Sequence, residues 1–346
     1  MQVDYLKAPP FNIYYYFLFS KGYFLILAIL LMMNVLLKNG LYCYFFLFMH
    51  VLLVCQVHAQ QEAQFTQFTY STQSYNPAYV GFNEEKSIIA LYRAQWIGVE
   101  GAPKTQVLHY GSPTKWKGLS IGFGLLNDKI GPTSETMANI DMSYTIFLSS
   151  DVKVAFGIKA SAHLLDINLS LLNQDYNLGP DPVLNNSIDN RFSPNIGAGV
   201  FYYTPDYYIG LSVPSFLETL YFDQSSLSKA KEETHFYLNS GFVKEVTPDL
   251  LLRPSFLIKA VAGAPLQTDI AVAVLLKGKV SFGFSYRVRA AISGLFGYQF
   301  SDHFFTGISY DRAATDLGQE IFNSGSLELV LKYRFANSRS NIRFNF

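Results

Sequence analysis

Apolar and polar residues alternate along many short stretches of this chain. Between residues 138 and 146, every even-numbered residue is apolar and every odd-numbered residue is polar. Residues 152–163, 280–289 and 327–335 follow the same period of two. Successive side chains of a β-strand point to opposite sides of the sheet. Each stretch therefore predicts a strand with one apolar face and one face that carries charged residues and glycine.

The number and length of these stretches indicate how they assemble. Most run for about 9–12 residues, the length that a tilted strand needs to cross a membrane. A soluble β-sandwich shows similar alternation, but an even number of antiparallel strands can close and leave no open edge in hydrocarbon. We predict an all-β fold, a transmembrane antiparallel β-barrel of the bacterial outer membrane over 85–335. It has about fourteen strands, at 85–96, 104–112, 118–126, 136–147, 152–163, 195–203, 207–213, 235–246, 249–260, 266–276, 279–289, 292–300, 303–310 and 325–335.

The connections between the predicted strands also alternate. Counting from the first strand, every second connection is short and rich in turn residues, such as Thr204-Pro205-Asp206. Most of the others are longer. Tight turns on one rim and long loops on the other are typical of outer-membrane barrels, in which the short turns face the periplasm. The predicted long loops are Asn127–Glu135, Leu164–Pro194, Pro214–Thr234 and Asp311–Ser324.

Residues 1–59 are predicted to be an upstream extension followed by a signal peptide. Lys38 is its positive end, Leu41–Val54 its apolar core and Val57-His58-Ala59 a cleavage site of the small-x-small type. The alternative is an N-terminal transmembrane hairpin. Cleavage after Ala59 would leave Gln60 as the first residue of an outer-membrane protein.

Two methionines, Met32 and Met33, stand just before this signal, and we expect translation to start at one of them. Between the signal and the first strand, residues 60–84 are predicted to form a periplasmic or lumenal segment. After the last strand, residues 336–346 are predicted to be a polar tail.

Composition removes several other classes of protein. Half of the residues are apolar, 16% are aromatic and 15% are charged, which excludes a disordered chain or a coiled coil. The 26 basic and 26 acidic residues balance, so no net field would attract nucleic acid. Both cysteines, Cys43 and Cys55, lie in the predicted leader, so the exported chain needs no disulfide.

The sequence contains few candidate catalytic or metal-binding motifs. The exported part has no nucleophile elbow, zincin, P-loop or C-x-x-C motif, and none of its His residues lies within four residues of another. We therefore predict no catalytic, cofactor-binding or metal-binding residues. A barrel phospholipase would need a Ser, His and carboxylate set that no spacing singles out. Arg287 and Arg289 could line a lumen, and we expect them to pair with internal acids such as Asp141 or Glu328.

Four motifs rich in Gly, Pro, Asn and aromatic residues are more specific than generic turns. Together, and in this order, they resemble the PorP/SprF family of the Bacteroidetes type IX secretion and gliding systems, and the resemblance extends from about residue 64 to 335. The motifs are Asn76-Pro77-Ala78 with Gly81, Tyr92-Arg93 with Gln95-Trp96, Gly101-Ala102-Pro103-Lys104-Thr105, and Asn127-Asp128 with Gly131-Pro132.

The resemblance implies an integral outer-membrane barrel without enzymatic activity, cofactor or small-molecule substrate. It would assist the export or surface anchoring of one large secreted protein, such as a gliding adhesin, and contact the C-terminal domain of that client. Some members also associate with a periplasmic peptidoglycan-binding partner. The alternative function is a substrate-specific porin or a channel for hydrophobic compounds.

The motif residues are candidates for the contact with such a partner. We expect the motifs that begin at Gly101 and Asn127 to brace a client domain at the outer rim, while the first motif lies at the periplasmic side or in the lumen mouth. Turn chemistry alone is the alternative explanation for their composition. The candidates are Asn76, Pro77, Gly81, Arg93, Trp96, Gly101, Pro103, Lys104, Asn127, Asp128, Gly131 and Pro132.

Overall fold

The computed structural model describes residues 63–82, 84–169, 188–217, 233–314 and 324–335, and these form a sheet of β-strands that surrounds an N-terminal segment. The predicted leader and C-terminal tail lie outside the described residues. The strands are β1 (Ser87–Ala94), β2 (Lys104–Pro113), β3 (Leu119–Ile130), β4 (Thr133–Phe147), β5 (Lys153–Ile167), β6 (Ile188–Tyr203), β7 (Tyr207–Val213), β8 (His235–Phe242), β9 (Lys244–Thr247), β10 (Leu250–Val261), β11 (Gln267–Leu276), β12 (Val280–Arg287), β13 (Ala291–Gln299), β14 (Phe304–Ala313) and β15 (Ser326–Arg334).

The sheet closes into a barrel. Each strand pairs antiparallel with its neighbours in the sequence, and β1 pairs with β15 across the closing seam, where Ala90 lies opposite Leu331. Both β8 and β9 pair with β10 and are separated only by Val243, so they are two parts of one strand. The result is a closed barrel of fourteen strands, which confirms the predicted fold.

The alternation also assigns the two faces of the wall. In β4, Ile140 and Tyr144 point outward and are 56% and 55% exposed, while Asp141 between them points inward and is fully buried. A water-soluble protein would bury the apolar set instead. The exposed apolar surface therefore belongs in lipid, and the charged residues line the bore.

The barrel has two different rims. At the short-turn rim, the strands are joined by 114–118, 148–152, 204–206, 248–249, 277–279 and 300–303. At the opposite edge, the long-loop rim, the connections include 95–103, 168–187, 214–234 and 314–325. Parts of the last three, and with them most of the predicted long loops, lie outside the described residues. Because outer-membrane barrels have short periplasmic turns, the long-loop rim faces the outside of the cell.

One predicted loop is wrong. Instead of a loop over Asn127–Glu135, β3 continues to Ile130, β4 starts at Thr133, and Gly131-Pro132 alone turns the chain. The outward-facing residues of this extension, Asn127, Lys129 and Ser134, are polar, so the apolar period that marked the strands vanishes although the hydrogen-bonded ladder continues. The strands β5 and β6 also extend beyond their predicted bounds, to Ile167 and from Ile188.

The segment 63–82 lies inside the bore. It contains a short helix α1 (Thr72–Tyr75) and a 3₁₀ helix (Pro77–Gly81). Its aromatic residues pack into three buried clusters with inward-facing wall residues, around Phe65 and Tyr70, around Phe68 and Tyr75, and around Phe82. Among the described residues, no helix is long and apolar enough to cross a membrane.

Candidate functional site

The segment 63–82, called the plug from here on, is the most extensively bonded feature of the bore. Its long-loop end is held by charge. Arg93 of β1 lies 2.5 Å from Asp311 and 3.0 Å from Glu328, and all three side chains are almost fully buried. The backbone N–H groups of Thr66 and Gln67 each donate to the Glu328 carboxylate at 2.8 Å. The plug thus supplies two hydrogen-bond donors to a buried cluster of charged side chains, which we call the ion cluster.

Further contacts at this end come from Thr66 and from Arg287. The Thr66 hydroxyl donates to Asp311 at 2.6 Å and accepts from Arg93 at 2.8 Å. Arg287 pairs with Asp269 at 2.5 Å and donates to the Phe65 carbonyl at 3.3 Å. The expectation that Arg287 pairs with an internal acid is confirmed, but the acid is Asp269, since Asp141 and Glu328 face Lys159 and Arg93. Arg289 is exposed in the turn after β12 and does not line the lumen.

The middle of the plug crosses the bore toward β2–β5. The Gln73 amide donates to Asp141 at 3.1 Å, and Lys159, which pairs with that carboxylate, donates to the Gln73 carbonyl at 3.2 Å. Ser74 lies 2.8 Å from His109 Nε2. Tyr75 donates to the Phe68 carbonyl, and burial raises the pKa of its phenol, which keeps the donor neutral and protonated.

The short-turn end of the plug is held by close packing. Asn76 is fully buried, accepts from Ala78 N at 3.0 Å to begin the 3₁₀ helix, and donates to the Val200 carbonyl at 3.3 Å. Two wall glycines make room for this turn. A Cβ on Gly157 would lie 2.2 Å from Ala78 N, and one on Gly199 would lie 2.2 Å from Asn76 Oδ1.

A cavity of about 330 Å³ remains between the plug and the long-loop ends of the strands. We call it the vestibule. The plug residues Phe65, Phe68 and Tyr75 form part of its surface, and Leu126, Met137 and Leu165 of the wall face it. Polar groups also line it, among them Lys159, which pairs with Asp141, and His163, whose Nδ1 lies 2.9 Å from Glu135 Oε1.

The long-loop rim joins two of the sequence motifs. Thr105 donates to Asp128 at 2.6 Å, and Gly131 N donates to the Gly101 carbonyl at 2.8 Å. Gly101 and Gly131 have φ angles of +71° and +55°, which residues with a side chain rarely adopt. The glycines of both motifs therefore fix the contact between loop 95–103 and the β3–β4 turn.

The twelve candidate residues separate into two places. Asn76, Pro77, Gly81 and Arg93 are buried in the bore and hold the plug or are part of it. The remaining eight lie at or near the long-loop rim: Trp96, Gly101, Pro103, Lys104, Asn127, Asp128, Gly131 and Pro132. Lys104 points out of the barrel, whereas Asp128 faces the bore, so the two side chains lie on opposite sides of the wall.

Sequence reasoning missed most of the groups that hold the plug. Glu328, which the sequence named only as an internal acid, Asp311 and Lys159 lie on the polar parity of their strands, which is the signal that could have marked them. Asp269 has no such signal, because the inward residues that follow it on β11 are apolar. Parity gives only the direction of a side chain and not its partner. The described residues contain no group of three or more His, Cys, Asp or Glu that could hold a metal ion.

The closed wall, its apolar exterior and the filled bore define an integral outer-membrane β-barrel. The family described as type IX secretion system membrane protein PorP/SprF matches residues 57–333. This chain belongs to the PorP/SprF family, and it is thus a membrane component of the type IX secretion system.

Solved structures show likeness in fold alone. The Acinetobacter baumannii outer membrane protein Omp33 is 9% identical with a TM-score of 0.42, covering 73% of this chain and 100% of that one. The Ralstonia pickettii toluene transporter TbuX is 10% identical with a TM-score of 0.45, covering 75% and 91%. A Pseudomonas aeruginosa FadL homologue is 12% identical with a TM-score of 0.41, covering 75% and 93%. A search of curated proteins finds no match.

Proposed function

We propose that this barrel is a closed surface scaffold that assists the export or anchoring of one large secreted protein, such as an adhesin. The observation that carries the proposal is the plug. An open pore needs a continuous water path, but residues 63–82 cross the bore and bond to strands on opposite sides of it, from Glu328 to Val200. A client would then be held at a rim rather than passed through the lumen, and no catalytic step is involved.

The long-loop rim is the surface that fits this role. Loop 95–103 and the β3–β4 turn are fixed to each other through Gly101 and Gly131, so they present a preformed shape. Trp96 stands on this loop with 42% of its surface exposed. Exposed Trp residues are frequent anchors of protein interfaces. The C-terminal domain of the client would dock here.

Two further points belong to the same proposal. A periplasmic peptidoglycan-binding partner would contact the short-turn rim, which faces the periplasm. The leader would be removed after Ala59, a few residues before the plug begins.

The chain offers a matched pair of tryptophans to test client docking. Trp96 lies at the long-loop rim, and Trp116, 74% exposed, lies in the short turn 114–118. Trp96→Ala should reduce the amount of client on intact cells several-fold, and Trp116→Ala should leave it unchanged. Whole-cell labelling of the client would measure this, with barrel levels checked by immunoblot.

The outcomes separate the proposal from a purely structural role. If Trp96→Ala lowers barrel abundance and client display in parallel, or if both variants display the client normally, docking at this rim is wrong. Loss of display with normal barrel abundance for Trp96→Ala alone supports it.

A second candidate function is a channel for hydrophobic compounds, and the vestibule favours it. Its volume of about 330 Å³ and its apolar surface suit a small organic molecule. A steady, solute-selective current through the purified protein in planar bilayers, or uptake of such compounds that depends on it, would favour this function over the scaffold.

A further inference from the structure

The lipid-facing side of β1–β4 carries three layers of different chemistry below the long-loop rim. In the upper layer, Lys104 and Lys129 lie directly opposite each other on β2 and β3. Both side chains are exposed and share the outward parity of their strands. Residues paired in this way have Cβ atoms about 5 Å apart.

Two like charges at this distance destabilise a sheet unless an anion lies between them. Within the described residues, neither lysine has an ion-pair partner within 4.0 Å. The residue opposite Lys129 on β4 is Ser134, and the acid in this row is Asp166, one strand further, which accepts from Asn190 N at 2.8 Å. The lysine pair therefore leaves a positive patch at the membrane boundary.

The middle layer is a row of hydrogen-bonding side chains. Tyr92, Gln106, Asn127 and Thr136 lie opposite one another across four strands, all pointing outward. Asn127 donates to the Thr136 hydroxyl at 2.9 Å. A polar row is unusual on a wall whose neighbouring outward residues are apolar, because amides in lipid need partners.

The lower layer is an apolar groove of about 490 Å³. It forms because Ala90 is small and stands between Leu108 and Leu331, which lie opposite it on the adjacent strands. Leu125 and Leu329 extend its sides, and Gln106 and Asn127 border it. A groove of this shape on a membrane-facing wall suits an extended acyl chain.

We propose that this surface binds lipid A, the phosphorylated glycolipid of the outer leaflet. The phosphate lies against Lys104 and Lys129, the polar linkage of the lipid faces Gln106 and Asn127, and one acyl chain fills the groove at Ala90. The order of charge, hydrogen bonding and apolar surface with depth matches that of such a lipid. The site is independent of the client, so it stands or falls separately from the scaffold function.

Binding of lipid A to the delipidated protein in detergent tests the site, with native mass spectrometry as the readout. The double variant Lys104→Gln/Lys129→Gln should bind about 30-fold more weakly, since each lysine near an anionic surface contributes about fivefold. The matched control is Lys277→Gln/Lys279→Gln, which removes two exposed lysines from a short turn at the other rim.

A second variant tests the groove without changing charge. Ala90→Leu fills the space for the acyl chain and should weaken lipid A binding about tenfold. Both variants alter only the outer face, and retention of the folded band on unheated gels checks assembly. A normal affinity for lipid A in the lysine variant overturns the proposal.

Two competitors identify which part of the lipid is recognised. Inorganic phosphate that displaces lipid A at equal concentration would reduce the site to a simple anion site and overturn the lipid assignment. Phosphatidylcholine that binds as well as lipid A would overturn the role of the lysines. The expected result is weak competition from both.

Discussion

The two ends of the plug are held in opposite ways. At the long-loop end, Thr66 and Gln67 are hydrogen-bonded to a cluster of buried charges formed by Arg93, Asp311 and Glu328. At the short-turn end, the 3₁₀ helix 77–81 packs against the wall where Gly157 and Gly199 leave space. The long-loop end of the plug thus depends on the balance of buried charges, and the short-turn end depends on the space that the wall glycines leave.

This difference decides what each end tolerates. A buried ion cluster gains little over an apolar core while it is intact, but removing one member leaves the others without a partner. Close packing is insensitive to charge but not to an added methyl group, because the displaced atoms are backbone. The long-loop end should therefore fail through loss of a partner, and the short-turn end through added volume.

The largest effect is expected at Arg93. Arg93→Met keeps much of the side-chain volume but leaves Asp311 and Glu328 buried without their cation, which should lower the free energy of unfolding by about 3–5 kcal/mol. The plug end that bonds to Glu328 should also detach, and the closed barrel should conduct intermittently. Thermal unfolding in detergent and planar-bilayer current measure the two consequences.

Arg312 supplies the control for Arg93. It is the next residue after Asp311 on β14 and is exposed on the outer face. Arg312→Met should change neither stability nor current appreciably. Equal behaviour of the two variants would show that the plug does not depend on the ion cluster.

A smaller effect is expected at Gly157. The Cβ of Gly157→Ala would meet the backbone of Pro77 and Ala78 at 2.2–2.5 Å, so the 3₁₀ helix must move, at a cost of about 1–3 kcal/mol. The control is Gly294→Ala on β13, where a Cβ has nothing within 4 Å. Unfolding midpoints in detergent would contradict the packing argument if the two alanine variants were equally stable.

The strands of the barrel wall could be predicted from the sequence, but the contacts of the plug inside it could not. Period two identified the parts of the strands whose outer face meets lipid, as for Ile140 and Tyr144 of β4. The plug has no such period, since its residues meet different strands one after another. Its bonds join Thr66 to Asp311 and Gln73 to Asp141, distant positions that only the closed barrel brings together.

The contacts between motifs at the long-loop rim could not be predicted from the sequence either. The Gly101 and Asn127 motifs were recognised, but their mutual contact depends on the register that sets Thr105 opposite Asp128. The sequence placed Lys104 and Asp128 together as partner contacts, although alternation along paired strands puts them on opposite faces. Parity within one strand was available from the sequence, whereas the register between strands was not.

The smallest effect is a coupling between Asn76 and Gly199. Asn76→Ala removes the side chain that begins the 3₁₀ helix, at a cost of about 1 kcal/mol. Gly199→Ala alone should destabilise by a similar amount, because its Cβ displaces Asn76 Oδ1 from the bond to Ala78 N. In the double variant the displaced atom is absent, so the two losses should not add, and the coupling should be about 1 kcal/mol. Asn76→Ala combined with Gly294→Ala should be additive, since a Cβ at Gly294 touches nothing. Unfolding free energies in detergent that add for both pairs would mean that Gly199 does not act through Asn76. This end of the plug would then be held by the backbone contact at Gly157 and by the hydrogen bonds from Ser143 to the Ala78 carbonyl and from Tyr203 to the Gly81 carbonyl.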